Sequence, residues 1–204
     1  MKQVIAVLGA LFILVGPIGA AQAENENREC PVGFVNGLSL DDEFGEGSAQ
    51  MTRCLDQRKK VRLLIQINQS CASPPVNGVC LRAYALGNIR NAINDYEVTH
   101  GMTMGEDFEV AAIVHSGGGM LMVKDEVLKA HSKGSNPFEG DVRALLDEGV
   151  NFYFCQNTVR GYIRNGTLTA GHATEQLVDG VQYTTAGITA IADFQSNGWQ
   201  YVQP

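Results

Sequence analysis

The chain has 204 residues, which is long enough for one domain with a sizeable buried core. It carries 15 lysines and arginines against 22 aspartates and glutamates, a formal net charge of −7 at pH 7. This acidic balance comes with no basic run and no interleaving of arginines with aromatic side chains, so we expect no nucleic-acid partner.

Residues 1–23, MKQVIAVLGALFILVGPIGAAQA, have the composition of a signal peptide. A single basic residue, Lys2, precedes the apolar run Val4–Val15, and Ala21-Gln22-Ala23 fits the pattern cut by signal peptidase. An uncleaved membrane anchor is the alternative, but the apolar run is too short to span a bilayer. We therefore expect an exported, periplasmic protein that begins near Glu24 and has no membrane insertion after cleavage.

The chain contains five cysteines, Cys30, Cys54, Cys71, Cys80 and Cys155. An oxidising compartment favours pairing, and an odd count leaves at least one thiol unpaired in a monomer. The most economical pairing is Cys30–Cys54 and Cys71–Cys80 with Cys155 free, although other pairings among the first four stay open. A zinc site built from those four is the alternative, but no C-x-x-C pair supports it, and we expect no metal.

Residues 24–60 form an irregular acidic lead-in, and residues 61–204 alternate between strand and helix patterns. Predicted strands cover 61–68, 108–115, 150–155, 180–185 and 199–202. Predicted helices cover 81–98, 120–130, 137–148, 157–164 and 186–196. The alternation predicts a three-layer α/β domain whose mostly parallel sheet of about five strands is covered on both faces.

Three polar or reactive residues lie at the predicted carboxyl ends of strands. They are Asn68, His115 and Cys155. Parallel strands end at one edge of a sheet, and open α/β sheets bind their ligands at that edge. The sequence therefore predicts a candidate site where these three residues meet.

Cys155 lies between a strand end and a helix start. A helix N-terminus carries partial positive charge and lowers the pKa of a nearby thiol. Asn157 or Thr158 is the expected helix cap. Such a thiolate is a nucleophile and a sulfur acceptor at neutral pH. The alternative is a buried and inert cysteine, because free cysteines are among the most buried residues.

His115 and the glycines after it are further site candidates. His115 is either a proton-transfer or anion-holding group or a histidine satisfied at a strand edge. Gly117, Gly118 and Gly119 either form an anion-binding turn of amides or a flexible connection. Neither a phosphate-loop ending nor G-x-G-x-x-G is present, so we expect no nucleotide cofactor. The expected substrate-binding residues are Asn68, Gly117, Gly118, Asn157 and Thr158.

Three segments together resemble the DsrE/DsrF-like (YchN-like) family over roughly residues 61–204. They are AAIVHSGGG, GVNFYFCQNT and the C-terminal GVQYTTAGITAIADFQSNGWQYVQP. The resemblance implies a compact, mostly parallel α/β domain and a homo-oligomer, either a trimer or a hexamer. It also implies sulfur trafficking, with Cys155 matching the persulfide-carrying cysteine and His115 the histidine before the glycines.

Three functional hypotheses follow. The first is a periplasmic, sulfurtransferase-like sulfur carrier that exchanges sulfur at Cys155 with a donor or acceptor protein. The second is a non-catalytic, oligomeric module that binds a small ligand or a partner and in which Cys155 is inert. The third is a redox protein in which Cys155 pairs with an upstream cysteine.

Overall fold

The computed structural model describes residues 60–72, 80–99 and 101–204. The predicted signal peptide, most of the lead-in, Cys30 and Cys54 lie outside the described residues. The described strands are β1 (Val61–Ile67), β2 (Phe108–Val114), β3 (Asn151–Cys155), β4 (Gln182–Thr184) and β5 (Gln200–Val202). The α-helices are α1 (Tyr84–Asn94), α2 (Asp125–Ala130), α3 (Glu139–Asp147), α4 (Gln156–Arg164) and α5 (Gly187–Ser196). A π-helical turn, Asp95–Thr99, extends α1, and a 3₁₀ helix, Ser116–Met122, follows β2.

The five described strands form one sheet in the order β4-β3-β2-β1-β5, and every neighbouring pair is parallel. The central strands β1 and β2 are buried on both faces because their sequences, VRLLIQI and FEVAAIV, are almost continuously apolar. Helices α1 to α4 pack against one face, and α5 packs against the other. The predicted three-layer α/β fold with a parallel sheet is confirmed.

The strand register brings the predicted site residues to one edge of the sheet. Val114 pairs with Ile67 on one side and with Phe154 on the other. The residues that follow these positions, Asn68, His115 and Cys155, therefore lie side by side at the carboxyl ends of three neighbouring strands.

The helix predicted over 120–130 is divided into the 3₁₀ helix and α2. The Asn136 side-chain amide donates to the carbonyls of Leu121 and Val123, at 2.9 and 2.8 Å. A continuous helix would need those carbonyls for its own hydrogen bonds. Val123 adopts an extended conformation and forms a bridge with Leu177. The division therefore depends on residues distant in the sequence.

Within the part of the chain that the structure describes, no helix has the length and apolar character needed to cross a membrane.

Candidate active site around Cys155

Two helix N-termini converge on the sulfur of Cys155. This residue ends β3 and is the N-cap of α4, and it is 4% exposed. The backbone N–H of Gly187, the first residue of α5, donates to Cys155 Sγ at 3.2 Å. The sulfur therefore lies where the partial positive charges of α4 and α5 reinforce each other.

This environment lowers the pKa of the Cys155 thiol. Burial alone would raise the pKa, but hydrogen-bond donors outweigh it. These donors are the backbone amides of Thr158, Gly187 and Asn157 and the Thr158 hydroxyl, and they bring the pKa below its ordinary value of 9.0. Cys155 is the free cysteine of the described residues, so its sulfur is not held in a disulfide there.

The predicted cap of α4 is wrong, because the helix begins at Gln156 and places Cys155 itself at the N-cap. The two predicted cap residues have other partners. Asn157 Oδ1 accepts a hydrogen bond from Arg160 at 2.7 Å, and Thr158 Oγ1 accepts one from the Ser116 amide at 3.0 Å. Both residues still contribute their amides to the sulfur's surroundings.

Both ring nitrogens of His115 already have partners inside the protein. Nε2 lies 2.5 Å from Gln66 Nε2, and Nδ1 lies 2.9 Å from Ser116 Oγ. Burial lowers the pKa of His115 below its ordinary value of 6.5, so the ring is neutral at neutral pH. In this geometry His115 is a satisfied, neutral histidine and not a free base.

Gly187 connects His115 to Cys155. A Cβ atom at Gly187 would lie 3.2 Å from His115 Cδ2, which is tighter than ordinary side-chain contact. The histidine ring thus packs directly against the residue whose amide donates to the sulfur. His115 and Cys155 are joined through this glycine.

Close packing leaves no room for a side chain at two of the three glycines after His115, which lie in the 3₁₀ helix. A Cβ at Gly118 would lie 2.4 Å from the Ile67 carbonyl oxygen, and one at Gly119 would lie 2.6 Å from the Phe154 ring. The Gly118 amide donates to the His115 carbonyl at 3.1 Å. Anion binding by Gly117 and Gly118 stays a prediction.

Asn68 lies apart from the sulfur, in a neighbouring cleft of about 160 Å³. This cleft also contains Gln66, Cys71, Tyr84 and Pro204. Cys71 and Cys80 form a disulfide, in agreement with the expected local pairing. Gln66 is therefore shared between this cleft and the surroundings of His115.

Sequence reasoning missed three residues of the site, Gln66, Gly187 and Tyr201. Gln66 has a detectable signal, because it is a polar residue inside an apolar strand. The Ala186-Gly187 start of the last predicted helix is a weaker signal. The Tyr201 hydroxyl donates to Gln66 Oε1 across 135 residues of sequence, and no local pattern predicts such a contact.

Among the described residues, no group of three or more His, Cys, Asp or Glu side chains is arranged to hold a metal ion.

Comparison with known proteins matches the part of the chain that contains this site to a protein family. The sequence model of the DsrE/DsrF-like family matches residues 79–204, well over half of the chain. This family is associated with sulfur metabolism. A solved structure of a protein of unknown function from Methanobacterium thermoautotrophicum is similar, with 23% identity and a TM-score of 0.49. That similarity covers 71% of this chain and 100% of the other. No curated protein matches the chain.

Proposed function

We propose that Cys155 of this chain, which belongs to the DsrE/DsrF-like family, carries sulfane sulfur as a persulfide. The observation that carries the proposal is the hydrogen bond from Gly187 N–H to Cys155 Sγ, at 3.2 Å, on a free thiol at the N-terminus of α4. Donors that stabilise a thiolate also stabilise the persulfide anion that replaces it, since both place negative charge on sulfur.

The transfer step requires no external oxidant. With thiosulfate as donor, the Cys155 thiolate attacks the outer sulfur, and a new S–S bond forms as the bond to the sulfonate sulfur breaks. Sulfite leaves with the electron pair of the broken bond. Cys155 then carries a persulfide. An acceptor thiolate attacks its outer sulfur, a new S–S bond forms on the acceptor as the bond to Cys155 Sγ breaks, and the Cys155 thiolate leaves with the electron pair.

The surface next to Cys155 suits an anionic donor. Ser116 and Asn157 are exposed at this edge although the sulfur is buried. Arg160 is also exposed and donates to Asn157 Oδ1 at 2.7 Å, which places a cation at the first turn of α4. Together with the helix N-terminus, this charge attracts a donor such as thiosulfate.

We further propose a periplasmic homo-oligomer that exchanges sulfur with a partner protein. The predicted signal peptide over residues 1–23 supports the location, and family resemblance supports the assembly. Cell fractionation of the full chain tests the location, and light scattering of the exported protein tests the assembly. A cytoplasmic protein or a monomer would contradict the corresponding part.

The low exposure of Cys155 favours a second candidate function, a small-ligand or partner-binding module with an inert thiol. The residue is only 4% exposed, so a donor reaches the sulfur only if the surrounding edge opens. The two candidates differ in whether native Cys155 undergoes chemistry.

The test is sulfur loading of the folded protein. The protein is incubated with thiosulfate or inorganic polysulfide, and the Cys155 peptide is then analysed by mass spectrometry. The proposal predicts the added mass of one sulfur atom on this peptide, removable by a thiol reductant, and no such product in Cys155→Ser. A folded protein whose Cys155 peptide gains no sulfur from either donor would favour the binding module.

A further inference from the structure

A chain of hydrogen bonds leads from the last strand of the sheet to His115. The Tyr201 hydroxyl on β5 donates to Gln66 Oε1 on β1, and Gln66 Nε2 lies 2.5 Å from His115 Nε2. On the far side of the ring, His115 Nδ1 lies 2.9 Å from Ser116 Oγ. We call these four side chains the Tyr201 relay.

The relay determines which ring nitrogen of His115 carries the proton. The tyrosine hydroxyl has one proton and two acceptors, Gln66 Oε1 and, at 3.3 Å, Gln203 Oε1. The contact with Gln66 is the shorter of the two, so the hydroxyl donates there and the amide presents its NH₂ group to His115. An amide nitrogen can only donate, so His115 Nε2 must accept. The ring proton then resides on Nδ1 and is donated to Ser116 Oγ. A proton on Nε2 would place two donors face to face, so this arrangement favours the neutral ring.

No charged side chain among the described residues forms a hydrogen bond with the ring. The groups that face it are Gln66 from β1, its neighbour Ser116, and Gly187 from α5. The nearest titratable member of the relay is Tyr201, which reaches the ring through Gln66. The protonation state of His115 therefore depends on burial and on the direction of the relay.

The orientation of the His115 ring affects the position of Gly187, whose amide contacts the sulfur of Cys155. The closest approach is at Cδ2, 3.2 Å from the position of a Cβ at Gly187, with His115 Cβ and Cγ at 3.4 Å. The amide of the same glycine donates to Cys155 Sγ. A rotated ring would either push Gly187 away or leave a gap behind it. In both cases the amide loses its fixed position.

We propose that Tyr201 and Gln66 are positioning residues for Cys155, which they influence through the neutral Nδ1–H tautomer of His115 and the Gly187 amide. This inference rests on the proposed function, in which Cys155 carries sulfur. The effect of the two residues on Cys155 is to stabilise its thiolate, and the stability of the thiolate can be measured without any sulfur donor.

The first test is Tyr201→Phe, which removes only the hydroxyl of the relay. ¹⁵N NMR of the wild-type protein should show His115 protonated on Nδ1, and the variant should lose this single tautomer. Alkylation of Cys155 by iodoacetamide, followed by peptide mass spectrometry, should slow about three- to tenfold near pH 7. This slowing corresponds to a rise of about half to one unit in the thiol pKa.

Tyr153→Phe is the matched control. Tyr153 lies on the same face of the sheet and packs against Phe194, with ring centroids 5.4 Å apart. Its hydroxyl has no hydrogen-bond partner among the described residues. Its removal should leave both the His115 tautomer and the alkylation rate unchanged.

A second variant, Gln66→Glu, tests the relay from its centre. An ionised carboxylate can only accept, so it draws a proton to His115 Nε2 and should raise the His115 pKa by about one to three units.

A wild-type Nε2–H tautomer would overturn the proposal. So would an unchanged tautomer and alkylation rate in folded Tyr201→Phe, or an unchanged His115 pKa in Gln66→Glu. If these effects appear and wild-type Cys155 accepts no sulfur, only the proposed function fails.

Discussion

At the scale of single residues, the chemistry of Cys155 depends on a balance between burial and hydrogen bonding. A thiol that is 4% exposed in an apolar setting would have a raised pKa and little reactivity. The donors around the sulfur reverse this effect, and three of the four are backbone amides. Because backbone amides do not titrate, the stabilisation persists across the pH range in which the protein is folded.

The first prediction concerns the amide that donates directly to the sulfur. Gly187→Ala adds a Cβ that meets His115 Cδ2 at 3.2 Å, so the His115 ring or the backbone at residue 187 must give by a few tenths of an ångström, which disturbs the hydrogen bond to Cys155 Sγ. We expect the thiol pKa to rise and the alkylation rate of Cys155 near pH 7 to fall about threefold or more. Gly161→Ala in α4 is the control, because its added Cβ meets no atom within 4 Å. Equal rates in the two variants would contradict this role.

The second prediction concerns the glycine packed against β1. Gly118→Ala places a Cβ 2.4 Å from the Ile67 carbonyl oxygen, which belongs to a central strand and cannot easily move. Overpacking of this kind costs about 1–3 kcal/mol of unfolding free energy. Urea unfolding measures the loss, and Gly140→Ala in α3, with open space around its Cβ, should be neutral or stabilising. A Gly118→Ala variant as stable as the wild type would show that the close approach is relieved at no cost.

At the scale of elements, the site depends on contacts between segments that are distant in the sequence. Ser116, which opens the 3₁₀ helix, has a positive φ of 52°, a strained conformation for a residue with a side chain. Its amide donates to Thr158 Oγ1 of α4, and its carbonyl accepts from the Tyr162 hydroxyl at 3.0 Å. Burial raises the pKa of Tyr162 to about 12, so this hydroxyl remains a donor. These contacts join β2 to α4 beside the sulfur.

Thr158→Val tests this junction with little change in side-chain shape. The variant leaves the Ser116 amide without its acceptor, which costs about 1–3 kcal/mol of unfolding free energy if water does not replace it. It also removes the hydroxyl that stabilises the Cys155 thiolate, so the thiol pKa should rise. Thr158→Ser retains the hydroxyl and should restore both properties. An unaltered thiol pKa in Thr158→Val would assign the effect to the backbone amides alone.

The elements were largely predictable from the sequence, and their contacts were not. Apolar runs such as VRLLIQI identify buried strands, and the most economical pairing of the five cysteines leaves Cys155 free, as it is in the structure. The division of the helix predicted over 120–130 could not be predicted, because Asn136 causes it from a later loop. The same holds for Gln66 and Tyr201, whose contact requires β5 to lie beside β1.

At the scale of the whole molecule, the two faces of the sheet have different roles. The larger core, between the sheet and α1 to α4, contains most of the buried apolar side chains and supplies most of the stability. The face beneath α5 has a smaller core, and it contains Gln66, His115, Gly187 and Cys155. The proposed sulfur chemistry therefore lies on the side where fewer packing contacts must change for the edge to open.

The Cys71–Cys80 disulfide should stabilise the fold without affecting the sulfur. It links residues nine positions apart, next to the cleft that contains Asn68. Closing a loop of this size contributes about 2–3 kcal/mol of unfolding free energy in the chain-entropy account. Urea unfolding of the Cys71→Ser/Cys80→Ser double variant should show this loss, with the alkylation rate of Cys155 in the folded state unchanged. A large change in that rate would show that the cleft is coupled to Cys155.

The central claim is that native Cys155 is a stabilised thiolate open to reaction. The most direct test is the pH dependence of Cys155 alkylation in the folded wild-type protein, followed on its own peptide. A lowered pKa moves the thiolate population to lower pH, so the rate should reach half its maximum below the ordinary thiol value of 9.0. Alkylation of Cys155 only after unfolding, at every pH, would contradict the claim and leave Cys155 an inert residue of the core.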